Sequence, residues 1–381
     1  MRVLLDARSV FPGMGGIGRA TRALAQELPR HLDRGDELLV LRGARAGEGP
    51  ITPAAREVHC EAGMIDPCFE QVVLPGLLEE LEVDLFHGAC FAVPLAGPAV
   101  ARVATVHDVV FRRHPQLVDP ALRRSLDQAT EIACAVAERV VTVSVHAQGE
   151  IATLYGRGER VDVVPNGVDP AFARLERRRP GGAPYLLYVG ALEAKKNVPA
   201  LLRGFEALVR RAPELPHQLV LVGGRGGQSF DLEVELARLG EVRGRVHVLG
   251  HVPEPDLCAL YAAADGFVYL SAYEGFGLPP LEAMAAGVPT LVADRAALPE
   301  VVGEAALLVD PEDAERVGAE LHRLLTDAAL RQELARAGHE RASGFRWEAS
   351  ARRLVEIYRE VMAERAGGAP RLRVLPGGKH A

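Results

Sequence analysis

The sequence predicts an α/β protein made of two doubly wound, parallel-sheet units in tandem, and three observations carry that expectation. Short runs rich in Val, Leu and Ile alternate with amphipathic stretches, first through residue 164 and again from Tyr185 onward. Between the two series, residues 174–184 are charged and then read Pro-Gly-Gly-Ala-Pro without periodicity, the composition of a linker. At 381 residues, 48% hydrophobic and 25% charged, the chain is long enough for two units with separate cores.

Taken in order, the apolar runs of the first series place strands at 3–6, 37–41, 83–87, 102–106, 140–143 and 161–164. Amphipathic stretches between them place helices, notably at 19–32 and 120–137. The second series places strands at 185–189, 218–222, 246–249, 267–270, 289–292 and 306–309. A last helix is expected at 346–365, with Trp347 near its start, and residues 366–381, rich in Gly, Pro and basic side chains, read as a frayed tail. Doubly wound sheets bind ligands at the carboxyl ends of their strands, so two of them facing each other make a cleft between lobes.

Charge and cysteine content narrow the function. The net charge of −7 is spread evenly, with 21 basic and 24 acidic residues in 1–180 and 23 and 27 in 181–381, so no basic lobe points to nucleic acid. Cys60, Cys68, Cys90, Cys134 and Cys258 are odd in number and scattered, which suggests neither a disulfide framework nor a metal site and fits a reducing compartment. The start Met-Arg-Val-Leu-Leu-Asp reads as a strand, and no run approaches the roughly eighteen apolar residues of a membrane span. A cytoplasmic location is expected, with contact at the inner membrane face left open.

The most informative stretch is Tyr273-Glu274-Gly275-Phe276-Gly277-Leu278-Pro279-Pro280-Leu281-Glu282. It follows a short apolar strand, turns on two glycines and opens a helix whose first turn accommodates two prolines. Free amides at such a helix start, together with its dipole, hold a diphosphate. Glu274 precedes the turn and Glu282 lies one turn into the helix. Without His or Cys neighbours they are poor zinc ligands and better acceptors for hydroxyl groups. Taken singly, Glu282 also reads as a carboxylate favouring the helix dipole and Glu274 as a solvated loop residue.

This stretch resembles the signature of retaining glycosyltransferases with the two-domain GT-B fold, in which two glutamates separated by seven residues frame the donor sugar nucleotide. The wider run from Leu270 to Pro289 is most similar to bacterial mannosyltransferase-type members. The resemblance implies two Rossmann-like domains facing an interdomain cleft. It puts an acceptor-side domain at 1–172, a nucleotide-sugar domain at 173–345, and a final helix at 346–365 crossing back onto the first. It further implies that Glu282 takes the ribose hydroxyls, that Glu274 faces the donor sugar, and that the amides of Gly275, Phe276, Gly277 and Leu278 meet the diphosphate and sugar.

Other residues gain roles within that frame. Arg supplies 41 of the 44 basic residues, so the adjacent Lys195 and Lys196, after the strand at 185–189 and the turn Gly190-Ala191-Leu192, stand out; compact ammonium groups suit a diphosphate met end-on. Chance surface lysines are the plain alternative. The resemblance implies that Lys196 grips the leaving diphosphate, often beside an Arg at the position held here by Ala191, so the second cation comes from Lys195 or elsewhere.

Gly13-Met14-Gly15-Gly16-Ile17-Gly18-Arg19 fits the spacing of a dinucleotide fingerprint, but six residues separate it from the strand and the next strand lacks the ribose-holding acid. An NADP-dependent oxidoreductase using Arg42 is therefore kept as a second reading, and a non-catalytic nucleotide-sugar-binding protein as a third. In the resemblance, Gly15, Gly16, Ile17 and Gly18 lie across the cleft near donor phosphates and acceptor. His107 follows the strand at 102–106, and the resemblance places it against the sugar hydroxyls; Asp108 reads as a cap for the next turn. Ser144 occupies a position where the family has a small hydroxyl residue, and Asn166-Gly167-Val168-Asp169 reads as an ordinary interdomain turn.

No cofactor and no metal are expected, only a nucleotide diphosphate sugar as co-substrate and a glycan, lipid-linked or small-molecule acceptor. Arg112 and Arg113 are candidates for contact with an anionic lipid surface. The expected reaction is a retaining hexosyl transfer, with mannose from GDP-mannose as the leading donor.

Overall fold

Two parallel sheets form the frame of the computed structural model, which describes residues 1–177, 181–227 and 230–367. The first sheet contains β1 (Arg2–Asp6), β2 (Glu37–Arg42), β3 (Arg56–His59), β4 (Leu85–Gly88), β5 (Ala101–Thr105), β6 (Arg139–Thr142) and β7 (Val161–Val163). The second contains β8 (Tyr185–Val189), β9 (Gln218–Val222), β10 (Val246–Gly250), β11 (Gly266–Tyr269), β12 (Thr290–Ala293) and β13 (Leu307–Val309). Their orders are β3-β2-β1-β4-β5-β6-β7 and β10-β9-β8-β11-β12-β13, with every pairing parallel. Because parallel strands are covered by helices on both faces, their sequences are apolar runs, and β1, β4, β8 and β11 are almost wholly buried.

Strand order reverses between β1 and β4 in the first sheet and between β8 and β11 in the second. At such a point the connections leave in opposite directions and open a crevice at the carboxyl ends. The loops after β8 and β11 therefore converge, as do those after β1, β4 and β5, and these five loops with the helix starts that follow them carry most of the residues discussed below.

The sequence reading missed β3. Arg-Glu-Val-His is a half-exposed edge strand paired only with β2, and it lacks the apolar run that marked the others. The helix expected at 19–32 spans Gly16–Glu27 instead. Pro29 has no amide to donate to Ala25, so the α-helical ladder ends although Leu28 itself stays right-handed helical, and the chain passes into a short turn at Leu28–Arg30. At the other end, Gly15 caps the helix and Gly16, Ile17 and Gly18 form its first turn rather than a free loop.

The last helix, Trp347–Ala366, packs on the first sheet: Leu354, Val355, Ile357, Tyr358 and Val361 share a core with Val3, Leu5, Val40, Val103 and Val141. Its Tyr358 hydroxyl lies 2.6 Å from Nδ1 of His87, whose Nε2 is 2.8 Å from the Thr105 hydroxyl. His87 is fully buried, and burial lowers its pKa to about 3, so it bridges helix and sheet as a neutral imidazole. The chain enters this helix beside the Asn166-Gly167-Val168-Asp169 turn, where Val168 N donates to Phe345 O at 3.0 Å and Asp169 caps Pro170–Ala173. The expected tail lies, from residue 368 on, outside the described residues, as do residues 178–180 of the expected linker. All five cysteines are free.

Candidate active site

After β11 the chain turns through 270–277 into the helix Leu278–Ala285. Gly277 takes φ +115°, a backbone state that side chains disfavour, at the residue that caps this helix. Gly275 is required for a different reason: a Cβ there would meet the carbonyl oxygen of His107 at 2.0 Å. Pro279 and Pro280 occupy the first helical turn, where their missing amides cost nothing. The amides of Gly275, Phe276, Gly277 and Leu278 donate to no protein acceptor among the described residues. Unpaired amides at the positive end of a helix are suited to an anion. Only the backbone of Phe276 and Leu278 faces this use, because both side chains belong to the second lobe's core.

Glu274 and Glu282 are both buried, and each is held by a cation and a tyrosine. Oε1 of Glu274 accepts from Lys196 Nζ at 2.6 Å, Ser271 Oγ at 2.6 Å and Tyr269 OH at 2.8 Å. Burial alone would push this carboxyl up, but Lys196 and Lys195 outweigh it and hold it below the usual range. Oε1 of Glu282 accepts from Arg19 Nη1 at 2.5 Å and Oε2 from Tyr261 OH at 3.1 Å. Burial pushes the Glu282 carboxyl up, and Arg19 and Tyr261 offset only part of it; Glu282 in turn raises Arg19. Burial lifts the Tyr261 and Tyr269 hydroxyls well above their usual range, so both remain protonated donors.

Lys195 and Lys196 lie in a tight turn, Ala194–Lys196, beyond β8. The turn is tied to the β11 loop by its backbone: Lys195 O accepts from Ala272 N at 2.8 Å and lies 2.9 Å from Ser271 Oγ, whose single proton is shared between this carbonyl and Glu274. Lys196 Nζ also stands 5.5 Å from the Tyr269 ring centre. Lys195 Nζ points across the cleft and lies 3.9 Å from Asp108 Oδ2 and 3.8 Å from Glu193 Oε1. Gly190 closes the β8 end, its amide donating to Val222 O at 2.9 Å. Lys196, Glu274 and the free amides thus share one end of the second sheet, with Glu282 a turn farther along the helix.

From the first lobe, His107 extends off β5 against Gly275. Its Nε2 is 2.9 Å from Ala89 O, and since a carbonyl only accepts, Nε2 carries the proton and Nδ1 is the acceptor. Burial lowers the pKa of this ring, which favours the neutral form. Asp108 caps the following turn through Val110 N at 3.1 Å. The Gly15–Gly18 segment approaches from β1: Gly18 lies against Ser9 O, Ile17 packs on the first lobe's core, and Gly16 faces Leu278 across the cleft.

Several contacts left no clear mark in the sequence. Arg19, Tyr261, Tyr269 and Ser271 fix the two signature glutamates. Ser144 Oγ donates to Gly275 O at 2.7 Å, so this position clamps the turn from the opposite lobe. Glu300 reaches over to accept from Val145 N at 2.7 Å and His146 N at 2.9 Å, where a carboxylate suits a helix start. Tyr273, although part of the second lobe's turn, is buried in the first lobe's core between His114 and His146, at ring separations of 5.4 and 5.9 Å. An alternation of strand and helix signals cannot reveal contacts made across a cleft.

One expectation is corrected. Arg42 is buried and committed to Glu57 at 2.7 Å and to the carbonyls of Gly49 and Gly47 at 3.2 and 3.1 Å, which leaves no guanidinium for a ribose phosphate and removes the basis of the NADP reading. Arg112 is paired with Asp127 and Arg113 with Glu150, and both arginines are about one-third exposed. Among the described residues, no helix is long and apolar enough to cross a membrane.

Comparison with known proteins bears on this geometry. Residues 172–341 match the family model described as Glycosyl transferases group 1, and residues 14–172 match that of Glycosyltransferase Family 4. The chain is 32% identical over 285 residues to O-antigen chain mannosyltransferase B of Escherichia coli, covering 72% of this chain and 74% of the other. Among solved structures it resembles sucrose-phosphate synthase from Thermosynechococcus elongatus, with a TM-score of 0.76 at 22% identity over 95% of this chain and 99% of that one. It also resembles HepE of Anabaena in complex with UDP-glucose, with a TM-score of 0.72 at 20% identity over 94% of this chain and 100% of that one.

Proposed function

The chain belongs to the group 1 glycosyl transferases, and we propose that it moves a hexose, with mannose from GDP-mannose as the leading case, from a nucleotide diphosphate sugar to a glycan, lipid-linked or small-molecule acceptor. The observation that carries the reading is the contact of Lys196 Nζ with Glu274 Oε1 at 2.6 Å, immediately before four amides free to receive an anion. The likeness to a mannosyltransferase supports the sugar.

In this reading residues 173–345 hold the donor and residues 1–172, with the helix at 346–365, present the acceptor. Glu282 takes the ribose hydroxyls, while the amides of Gly275 to Leu278 with Lys196 and Lys195 take the diphosphate. The C1–O bond to the leaving phosphate breaks as the C1–O bond to the acceptor forms on the same face. Bond formation on the face that the phosphate leaves gives retention, and the acceptor proton passes to the leaving phosphate oxygen. Glu274 and His107 orient the sugar. Preorganised cations and amides meet the charge growing on the diphosphate, so the transfer is proposed to need no metal ion and no cofactor. The free thiols suit a reducing cytoplasm, and a lipid-linked acceptor would be met at the inner membrane face.

A thermal-shift screen against GDP-, UDP- and ADP-sugars, followed by product analysis with the preferred donor in the presence of a chelator, tests this. A ligand at a hundred times its Kd adds about 2.7 kcal/mol of stability, and the product is expected to keep the donor's anomeric configuration. Absence of any shift would overturn the donor reading. An inverted product, or activity abolished by the chelator, would overturn the mechanism.

A further inference from the structure

We propose that Arg19 is a donor-binding residue, the second cation of the diphosphate site, held on Glu282 until the ribose claims that carboxylate. The inference rests on the nucleotide-sugar reading and extends it to a side chain outside the signature stretch.

A diphosphate carries two charges, and the β8 turn offers Ala191 where a second cation would stand beside Lys196. Two other cations reach the cleft. Lys195 sits between the carboxylates of Asp108 and Glu193, and a donor bound as described displaces neither of them. Arg19 is different, because its partner is the carboxylate that the ribose must use. Nη1 of Arg19 lies 2.5 Å from Glu282 Oε1, while Tyr261 occupies Oε2. Ribose hydroxyls arriving at Glu282 therefore compete with the guanidinium, and the other carboxylate that acts on Arg19, Glu254, is exposed and already paired with Arg22 at 3.5 Å.

The geometry gives Arg19 a short way to go. A Cβ on Gly16 would lie 3.7 Å from Cδ1 of Leu278, the first residue of the signature helix. Arg19 N donates to Gly15 O at 3.1 Å, so its backbone stays within a helical turn of that contact. The base of the side chain thus stands near the free amides, while its tip rests on Glu282, about one turn or ~5 Å farther along the helix. The side chain is 30% exposed against 6% for Glu282, so the arginine is the mobile partner. Rotation of its side-chain torsions carries the guanidinium toward the helix start, where its planar fork suits phosphate oxygens. Each signature glutamate is then paired, in the free protein, with the cation that its substrate hydroxyls release to the phosphates: Lys196 from Glu274 and Arg19 from Glu282.

The test compares binding of a nucleoside, its monophosphate and its diphosphate, with the base chosen by the sugar screen, to wild type, Arg19→Ala and Arg19→Lys. Thermal unfolding of each variant verifies folding, and Arg19→Gln replaces the alanine variant should that one fail to fold. The expected result is at least a tenfold loss of diphosphate affinity in Arg19→Ala, with nucleoside affinity unchanged or increased and partial recovery in Arg19→Lys. An equal loss for all three ligands would overturn the proposal and leave Arg19 as a support for Glu282. Unchanged or tighter binding of all three would also overturn it and leave only a contact between lobes. Failure of wild type to bind any of the three would remove the nucleotide-sugar reading itself, a result distinct from either variant outcome.

Discussion

Gly275 and His107 approach each other across the cleft so closely that a single added carbon on the glycine would fall 2.0 Å from the histidine carbonyl oxygen. The obstacle is backbone, which cannot swing aside as a side chain would. Ser144 grips the same glycine's carbonyl at 2.7 Å, so the turn is clamped on two sides.

Gly275→Ala is therefore expected to force the lobes apart at this seam. Overpacking of this kind costs about 1–3 kcal/mol, read as a lowered midpoint in urea unfolding. Transfer should fall more steeply than stability, because the displaced turn carries the amides. A variant with wild-type stability and turnover would show that the seam opens freely.

Lys196→Ala removes the cation that stands 2.6 Å from Glu274. Loss of one preorganised donor to a developing anion costs on the order of a hundredfold or more in turnover. Single-turnover rates at saturating donor should show this, whereas a loss below about tenfold would remove Lys196 from the charge-stabilising role.

Glu282→Ala should weaken nucleoside monophosphate binding by about 1.5–3 kcal/mol, the usual worth of hydrogen bonds to a charged group. Calorimetric titration measures it directly. Unchanged affinity would assign Glu282 a structural role as the partner of Arg19 and Tyr261.

Acid stability should be governed first by buried histidines. His87 titrates near 6.5 when unfolded but at about 3 when folded, so the unfolded chain binds a proton that the native state refuses. Stability contributed by the neutral ring is complete above pH 6.5 and is lost as pH falls toward the folded value. The slope is about 1.4 kcal/mol per pH unit, or roughly 2 kcal/mol by pH 5. His107, also lowered by burial, acts in the same direction. Glu274, lowered by its lysines, contributes above its usual value of 4.5 and loses that contribution only at lower pH. Unfolding midpoints from pH 8 to 5 should fall in wild type and fall less in His87→Gln; identical slopes would show that His87 is not the responsible group.

The strands of both sheets were legible because each is a local apolar run bounded by turn residues, and their predicted limits lie within two residues of the observed ones. Edge strand β3 escaped because its four residues are half exposed and carry no such run. The helix after β1 was misplaced at both ends, since neither the glycine start nor the stop ahead of Pro29 appears in the apolar periodicity.

The amino-acid order by itself determined the two α/β units, the glycine turn with its pair of glutamates, and the paired lysines, since each is a matter of residues adjacent along the chain. Folding alone decided which cation faces which carboxylate. Arg19 meets Glu282 across 263 residues, and Lys196 meets Glu274 across 78. Charge–charge energy depends on distance and burial, not on sequence separation. The first distance exists only once the two sheets face each other, and the second only once β8 and β11 lie side by side in one sheet.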